Sequence, residues 1–338
     1  MRLRSVGGGA RTRRRRMLVA GALAPLAALL LAACGGSGGS GSSGGSASGA
    51  GGAAGGTHTV RTAMGDVKVQ DAPERVVVLD TAELDSALTL GVKPVGATRA
   101  AVASGFLDYL PKDEVAGIED VGEIGNPDLE AVAALRPDLI LTSKIRDGAR
   151  YRQLSAIAPT VMTENTGYPW KANFQVHAAA LGRKPQAARA VTAYEKRVGQ
   201  VRDALGGASE AAAVSVNVVR FVEGADIRVY GRKNYLGTIL ADVGLGRPAV
   251  VDKAADGFAY DVSPERIDLA DADAVFTSTY GDPEKSGAKR TMAGPLWRGM
   301  AAYRAKRVFP VDDELWLQGI GYTAAGKILT ELRRDLTR

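Results

Sequence analysis

Short apolar runs alternate with helical patterns along the chain from about residue 57 onward. Residues 75–79 read RVVVL and residues 139–141 read LIL, which is typical of buried strands. Between such runs, Leu84 and Leu88 mark the buried side of a helix that Thr81 can cap. Strands that alternate with helices predict an α/β fold with parallel sheets. The other predicted strands are residues 94–97, 160–162, 214–221, 227–230 and 307–311.

One segment of this pattern occurs twice. Residues 127–143 read PDLEAVAALRPDLILTS, and residues 264–278 read PERIDLADADAVFTS. When Glu130 is aligned with Glu265, the acid before each apolar strand and the Thr-Ser after it also align. Because the sequence between the copies is unlike either of them, the repeat predicts two similar lobes rather than a solenoid. Two lobes that face each other form a cleft, which is where a small ligand binds.

A longer amphipathic helix lies between the two copies. Apolar side chains recur every three or four residues over residues 184–205, which predicts one helix of about five turns. Pro185 suits its first turn, and Gly206 follows its end. We expect this helix to connect the lobes. Further helices are predicted from Pro127, through Tyr151 and Leu154, over residues 235–243, and over residues 322–336 with Ile328, Leu329 and Leu332 inward.

The net charge of +6 comes from the N-terminus. Residues 1–33 hold seven arginines and no acid, so the rest of the chain has 36 basic residues (43 less seven) against 37 acidic ones. A near-neutral mature protein gives no support to nucleic-acid binding. The basic run at residues 11–16 and the apolar residues 17–33 are typical of an export signal, and the apolar part is short for a membrane span.

The apolar run ends in LAAC at Cys34, the single cysteine of the chain. This segment resembles the bacterial lipobox, in which the cysteine is lipidated and becomes the new N-terminus. The alternative is a signal peptide with a chance cysteine. The arginine run also resembles a twin-arginine signal, so the export route, Sec or twin-arginine, stays open. After Cys34 the chain is almost entirely Gly, Ser and Ala, which predicts a flexible tether.

These patterns divide the chain into five parts. The predicted boundaries are a lipoprotein signal peptide at 1–33, a tether at 34–56, an N-terminal α/β lobe at 57–183, a connecting helix at 184–206 and a C-terminal α/β lobe at 207–338.

Residues that follow the strands are the candidates for the cleft wall, because ligands of open α/β sheets bind beyond the carboxyl ends of the strands. In the first lobe these residues are Asp80, Thr81, Thr98, Arg99, Lys144 and Arg146. In the second lobe they are Arg220, Tyr280 and Trp316, with Tyr168 and Trp170 where the first lobe meets the connector. Arginine offers a planar fork of donors to anionic oxygens, and aromatic rings offer flat apolar surface.

Each candidate has a structural alternative. Arg220 ends an apolar run, so its charge could be held in an internal ion pair. Trp316, Tyr280 and the Tyr168–Trp170 pair could belong to the core, and the loop with Lys144 and Arg146 could be solvated surface. Trp297 follows a proline on a predicted helix, and we assign it to the core.

Several segments in one order carry a family resemblance: RVVVLD, LDSALTLGVKPVGA, PDLEAVAALRPDLIL, VSPERIDLADADAVF and DDELWLQGIGYTAAGKILTEL. Together with the lipobox and tether, they resemble the iron-siderophore substrate-binding lipoproteins of ABC importers over about residues 60–336. The resemblance implies two α/β lobes joined by one rigid helix, and a monomer that passes its ligand to the permease subunits. It also implies anchoring through a lipid at the outer face of the cytoplasmic membrane. The siderophore supplies the donors to ferric iron, so no cofactor or protein ligand to the metal is expected.

Glu130 and Glu265 have two interpretations. Each lies in the first turn of a predicted helix, where a carboxylate complements the exposed N–H groups. The resemblance implies in addition that these glutamates form salt bridges to arginines of the two permease subunits.

Other functions compete with this hypothesis. A zinc or manganese receptor needs several converging His or carboxylates, and the body has only His177 and His58. A haem receptor could use Tyr280 or Tyr168 as its iron ligand, and cobalamin is a further ligand of the family. A lipid-anchored hydrolase lacks a strand followed by a G-x-S-x-G elbow. The aromatic, single-arginine character of the predicted wall favours a hydroxamate siderophore over a catecholate, and no enzymatic activity is predicted.

Overall fold

The first sheet of the fold has six strands. The structure, a computed structural model, describes residues 56–101 and 105–338, so the predicted signal peptide, Cys34 and nearly all of the tether lie outside the described residues. A hairpin of β1 (Thr57–Thr62) and β2 (Gly65–Gln70) precedes the sheet. The sheet itself contains β3 (Val76–Val78), β4 (Gly96–Arg99), β5 (Glu119–Glu123), β6 (Asn126–Pro127), β7 (Leu139–Ser143) and β8 (Thr160–Thr163), in the order β6-β5-β4-β3-β7-β8.

The helices of the first lobe follow its strands. They are α1 (Thr81–Thr89), α2 (Lys112–Val115), α3 (Leu129–Ala134), α4 (Lys144–Asp147), α5 (Tyr151–Ile157) and α6 (Trp170–Ala180), with a 3-10 turn at Gly148–Arg150. The strands from β5 to β8 across the sheet are parallel, and only β6 runs antiparallel at the edge.

The connecting helix α7 spans Lys184–Ala204. It packs against α6 on one side and against helices of the second lobe on the other. Tyr194, Val198 and Val201 are buried along it, as the apolar spacing predicted. Gly206, at φ +100°, ends the helix in a conformation that favours glycine.

The second sheet has five strands in the order β11-β10-β9-β12-β13. They are β9 (Val216–Val222), β10 (Ile227–Tyr230), β11 (Ala259–Val262), β12 (Ala274–Tyr280) and β13 (Val308–Pro310). The prediction of a parallel sheet is wrong at β10, which runs antiparallel to β9 and β11. The reason is the short turn between β9 and β10, since parallel neighbours need a long crossover.

Helices cover the second sheet as well. They are α8 (Ala208–Ala213), α9 (Tyr235–Val243), α10 (Ala288–Ala293), α11 (Pro295–Gly299), α12 (Ala301–Arg304) and α13 (Tyr322–Leu336), with 3-10 turns at Ala249–Lys253 and Pro264–Ala270 and a π-helical turn at Glu314–Gln318. The last helix, α13, packs against α7 and against α1 of the first lobe, with Ile328, Leu329 and Leu332 in the core that these helices share. The C-terminal helix therefore links both lobes.

The two copies of the repeat share an anchoring role. In the first copy, the carboxylate of Asp138 accepts a hydrogen bond of 3.0 Å from the backbone N–H of Arg75, just before β3. In the second copy, Asp273 accepts one of 2.7 Å from the N–H of Ser215, just before β9. Each aspartate thus fastens its own strand to the start of the neighbouring one.

The helical parts of the two copies differ. The first copy forms α3, which Asp128 caps by accepting hydrogen bonds from the N–H groups of Glu130 and Ala131. The second copy is a 3-10 segment, Pro264–Ala270, with non-helical backbone at Arg266. The prediction of equivalent α-helices is therefore wrong for the second copy. Within residues 56–101 and 105–338, no helix has the length and apolar character needed to cross a membrane.

Candidate functional site

Asp80 and Arg146 form the central ion pair at the carboxyl edge of the first sheet. Arg146 Nε donates to Asp80 Oδ2 at 2.9 Å, and Asp80 Oδ1 accepts from the N–H of Thr81 at 2.7 Å. Asp80 is therefore the residue that caps α1, and the predicted capping role of Thr81 is wrong. Burial and the nearby Glu83 carboxylate raise the pKa of Asp80, while Arg146 opposes that shift.

Two further cations lie along this edge, each with an acidic partner. Lys144 Nζ donates to Glu164 Oε1 at 2.9 Å, and both side chains are exposed. Arg99, at the end of β4, donates through Nε to Asp120 of the neighbouring strand. The predicted wall cations of the first lobe therefore stand at one sheet edge, but in ion pairs.

Arg220 and Asp313 form the matching ion pair of the second lobe. Arg220 Nε donates to Asp313 Oδ1 at 2.7 Å, and Nη2 donates to Oδ2 at 2.5 Å. The same carboxylate accepts from Ser278 Oγ at 3.0 Å and from Gln318 Nε2 at 2.9 Å. The side chains of Arg220 and Asp313 are each only 11% exposed, so both partners of this pair are more shielded than those of Lys144–Glu164 and Arg99–Asp120 in the first lobe.

Arg220 lies where the apolar core gives way to the sheet edge. Val216 and Val218 precede it on the same face of β9 and are buried. The guanidinium carbon lies 4.4 Å from the ring centre of Tyr280, and Nη1 lies 3.5 Å from the hydroxyl of Tyr230. Arg220 and Tyr280 are thus brought together as predicted wall residues.

A hydrogen bond joins the two sheet edges. Thr81 Oγ1, at the start of α1, donates to the backbone oxygen of Gln318 at 2.9 Å. Gln318 follows the last strand of the second lobe and also holds Asp313. A continuous polar chain therefore crosses from lobe to lobe, and the two carboxyl edges face each other. Its members in order are Arg146, Asp80, Thr81, Gln318, Asp313 and Arg220, with the N–H of Thr81 donating to Asp80 and its hydroxyl to Gln318.

Trp316 does not line the cleft. Its side chain is fully buried, its ring stacks on Phe276 at 4.7 Å between centres, and Nε1 donates to Glu331 Oε2 at 2.6 Å. The prediction that it contacts the ligand is wrong, because the π-helical turn carries the ring inward. Trp297 is buried against Phe221, as assigned from the sequence.

Trp170 belongs to the junction between the lobes. It is buried, with edge-to-face contacts to Tyr194, Tyr235 and Tyr322, and its Nε1 donates to Thr238 Oγ1 at 2.7 Å. Its predicted ligand contact is therefore wrong as well. Tyr168, in contrast, is 52% exposed in the loop before α6 and stays a candidate.

Two exposed apolar side chains were missed by the sequence analysis. Ile145 is 62% exposed on α4, between the cations Lys144 and Arg146. Phe258 is 44% exposed and packs edge-to-face on Tyr230, beside Arg220. The position of Ile145 between two cations, directly after a strand, was the sequence signal that its side chain is exposed. Both residues offer apolar surface to an organic ligand.

A separate groove of about 650 Å³ lies between α1, α7 and α13. Arg189 and Arg197 of α7 are among its lining residues. Helices form its walls, whereas ligands of open α/β sheets bind at the strand ends. The candidate site is therefore the facing strand edges and not this groove.

A sequence profile of the periplasmic binding proteins matches residues 76–315. That match covers well over half of the chain. The chain belongs to the periplasmic binding protein family. Its two sheet-containing lobes have the fold expected from that assignment.

Relatives of this periplasmic binding protein are named for iron chelates. The Bacillus subtilis (strain 168) "Probable siderophore-binding lipoprotein YfiY" is 34% identical over 82% of this chain and 86% of its own length. The Escherichia coli (strain K12) "Fe(3+) dicitrate-binding periplasmic protein FecB" is 25% identical over 81% and 88%. Staphylococcus aureus SirA, solved with staphyloferrin B, is similar with a TM-score of 0.74 and 29% identity over 83% of this chain and 98% of SirA. These names are those of binding proteins, and they match the predicted class rather than a hydrolase.

The two repeat glutamates of this periplasmic binding protein are exposed. Glu130 lies in the first turn of α3, and Glu265 lies in the first turn of the 3-10 segment after β11. Among the described residues, neither carboxylate is held in an ion pair. Both side chains are thus open to a partner.

The two histidines contact side chains within the fold. His177 is buried, with Nδ1 2.9 Å from Ser86 Oγ and Nε2 3.4 Å from Glu83 Oε1. His58 pairs with Asp71 at 2.8 Å on the β1–β2 hairpin. Within the part of the chain that the structure describes, no cluster of His, Cys, Asp and Glu is arranged to hold a metal ion.

Proposed function

We propose that this protein is an extracytoplasmic receptor that binds a ferric siderophore between its two lobes and delivers it to an ABC permease. The observation that carries the proposal is the pair of facing strand edges, with ion pairs and exposed apolar side chains at the mouth. The relatives named for siderophores support the same ligand class. Because the siderophore encloses the iron, the receptor needs donors and apolar surface rather than a metal site.

The proposed ligand-binding residues stand at these edges. Arg220, Tyr280, Arg146 and Tyr168 are the side chains best placed to meet a ligand, with Ile145 and Phe258 added by the structure. Lys144 and Arg99 contribute at the outer rim, and Thr81 stands at the crossing point between the lobes.

We further propose that the siderophore is of the hydroxamate type. Each of the predicted cations, Arg99, Lys144, Arg146 and Arg220, has a carboxylate partner, so the wall is close to neutral. A ferric trihydroxamate is neutral at its iron centre, whereas a ferric triscatecholate is polyanionic. A neutral wall gives a polyanion little electrostatic attraction.

A titration panel tests both the siderophore class and the hydroxamate subclass of this proposal. The mature protein is titrated calorimetrically with ferrichrome, a ferrioxamine, ferric dicitrate, a ferric triscatecholate, haem and cobalamin. Saturable binding of a hydroxamate complex, tighter than the others, is the expected result. Tight triscatecholate binding without any hydroxamate response would contradict the subclass. Binding of haem with a shifted Soret band, or of cobalamin alone, would replace the siderophore proposal by its nearest alternatives.

Glu130 and Glu265 are proposed to dock onto the permease, one from each lobe. The Glu130→Ala/Glu265→Ala double variant is expected to lose iron uptake in cells while its siderophore affinity stays unchanged. A matched control removes two other exposed acids, Glu74 and Glu210. Normal uptake by the double variant would argue against docking through these residues.

Cys34 is proposed to carry the lipid anchor, after cleavage of residues 1–33 and with residues 34–56 as tether. Its LAAC context supports this, and the relative YfiY is named a lipoprotein. The anchored receptor is proposed to act as a monomer, with lobes at 57–183 and 207–338. Cys34→Ser is expected to leave unlipidated protein that fractionates away from membranes. Unchanged membrane association would count against the anchor.

A further inference from the structure

Asp313 is a shielded carboxylate at the wall of the proposed ligand site. Its two oxygens accept four hydrogen bonds, from Nε and Nη2 of Arg220, Oγ of Ser278 and Nε2 of Gln318. A carboxylate with bidentate arginine and two further donors has its acceptor capacity filled and its position fixed. Asp313 is therefore built into the wall rather than hanging into solvent.

The consequence for Arg220 is that its guanidinium has one end occupied. Nε and Nη2 face Asp313, and within residues 56–101 and 105–338 the one hydrogen-bond contact of Nη1 is the hydroxyl of Tyr230 at 3.5 Å. The ring of Tyr280 lies against the guanidinium face and limits its rotation. Arg220 thus presents a single donor edge, and its positive charge is balanced by the carboxylate of Asp313, to which it is directly hydrogen-bonded.

We propose that Asp313 is a charge-selectivity residue, which acts through Arg220 to favour ferric chelates of low net charge over polyanionic ones. This inference rests on the proposed siderophore function. An isolated arginine would attract every anionic chelate. With Asp313 fixed beside it, the second-lobe wall offers hydrogen bonding without a net positive charge.

The location of the pair strengthens this role. Lys144 and Glu164 of the first lobe are 45% and 62% exposed, so water and salt screen their charges. Arg220 and Asp313 are each 11% exposed, and charges in such surroundings act more strongly on a neighbour. In the Arg146–Asp80 pair the carboxylate is buried, but the arginine is 40% exposed. Of the four ion pairs at the proposed wall, Arg220–Asp313 is therefore the one in which both partners are shielded.

The test compares two probes in the mature chain. Asp313→Asn keeps the shape of the side chain and removes its charge. The ratio of the affinities for a ferric triscatecholate and for ferrichrome is expected to rise about tenfold or more, because an uncancelled charge attracts the polyanion. The triscatecholate affinity should also become more dependent on salt.

The matched control is Asp312→Asn. It makes the same change of net charge one residue away, at an exposed carboxylate that accepts from the N–H of Leu315. Its affinity ratio is expected to stay within about threefold of wild type, since salt screens exposed charges. An equal rise in both variants would show a general charge effect and overturn the specific role of Asp313.

A double-variant cycle separates charge balance from structure. In an Arg220→Gln background, Asp313→Asn is expected to leave the affinity ratio close to wild type, because neither charge is then present. If Asp313→Asn alone does not fold, the comparison is made between the double variant and Arg220→Gln. Arg220→Gln alone is expected to lower the affinity for the triscatecholate more than the affinity for ferrichrome. Parallel changes in both affinities would overturn the selectivity role. Failure of the wild-type chain to bind any ferric chelate would instead overturn the proposed function itself.

Discussion

The junction between the lobes and the charged edge of the cleft use similar side chains in opposite ways. At the junction, Trp170 packs edge-to-face on Tyr194, Tyr235 and Tyr322, at centre distances of 5.6, 5.2 and 4.7 Å. Two of the three tyrosine hydroxyls are also satisfied within the chain, since Tyr194 donates to Asp242 and Tyr235 donates to the backbone oxygen of Gly321. Helices of both lobes meet in this cluster, and its rings pack on one another.

At the cleft edge, the same kinds of groups are partly exposed. Arg220 keeps one nitrogen outside its bidentate pair, and Arg146 uses only Nε toward Asp80. Tyr280 packs against the guanidinium of Arg220 without being buried. The difference teaches that the satisfaction of polar groups within the chain, more than residue type, separates the buried junction from the proposed ligand-binding edge. The comparison makes distinct predictions for stability and for binding.

The largest expected effect is on stability, at the junction. Trp170→Ala removes a buried ring and its hydrogen bond to Thr238, and should lower the free energy of unfolding by about 3–5 kcal/mol. Urea unfolding measures this. Tyr168→Ala, two residues away at an exposed position, is the control and should change stability little. Loss of siderophore binding by Trp170→Ala in a chain of normal stability would show that the junction also recognises the ligand.

The second-largest expected effect is a pH dependence of the stability that comes from the contact between α1 and α13. Asp85 of α1 accepts hydrogen bonds from the N–H groups of Thr323 and Ala324, at 3.1 and 3.0 Å. Burial raises the pKa of Asp85 from its usual 3.8 to about 6, although these hydrogen bonds oppose the shift. Between pH 3.8 and about pH 6, the Asp85 carboxyl is therefore protonated in the folded protein and ionised in the unfolded chain.

The direction of the change in stability with pH follows from this difference in protonation. The stabilisation by Asp85 is fully present below its unfolded pKa of about 4 and is lost as the pH rises through about 6, a change of about 3 kcal/mol. Urea unfolding across this range should show a smaller decline for Asp85→Asn than for wild type. Asp66→Asn, at an exposed carboxylate, should behave like wild type. Identical declines in all three proteins would contradict the assignment.

The third effect is on ligand binding at the cleft edge. Arg220→Ala should weaken the binding of a ferric siderophore by about 1.5–3 kcal/mol if the arginine makes a charge-assisted hydrogen bond to it. Calorimetric titration with ferrichrome measures this change. Because Asp313 is then left without its partner, stability should also fall. Arg298→Ala, at an exposed arginine of α11, is a matched arginine control. An unchanged affinity in Arg220→Ala would remove this residue from the proposed wall.

Much of the fold could be predicted from periodicity, and the failures have local causes. The apolar spacing of α7 and of α13 placed their buried sides correctly. The β1–β2 hairpin was missed, because only Val60 and Val69 are buried in it and such a pattern is weak over a few residues. The antiparallel strand β10 depended on turn length, which apolar runs do not reveal.

The positions of the strand ends were predictable, but the directions of the side chains that follow them were not. The rule of strand ends located Arg146 and Arg220 at facing edges. It failed for Trp316, since a π-helical turn decides where that ring points. It also could not pair Arg220 with Asp313, which lies 93 residues further along the chain. Such a contact depends on the packing of β9 against the segment after β13, which no local pattern encodes.

The smallest expected effect separates the exposed pair of the first lobe from the shielded pair of the second. Lys144→Ala should change the free energy of unfolding by only about 0.2–1 kcal/mol, because water and salt screen its pair with Glu164. Glu164→Ala should give a similar small value in the same urea experiment. If either variant cost as much stability as Arg220→Ala, exposure would not be what distinguishes the two edges. The charge selectivity assigned to the second lobe would then have to be shared with the first.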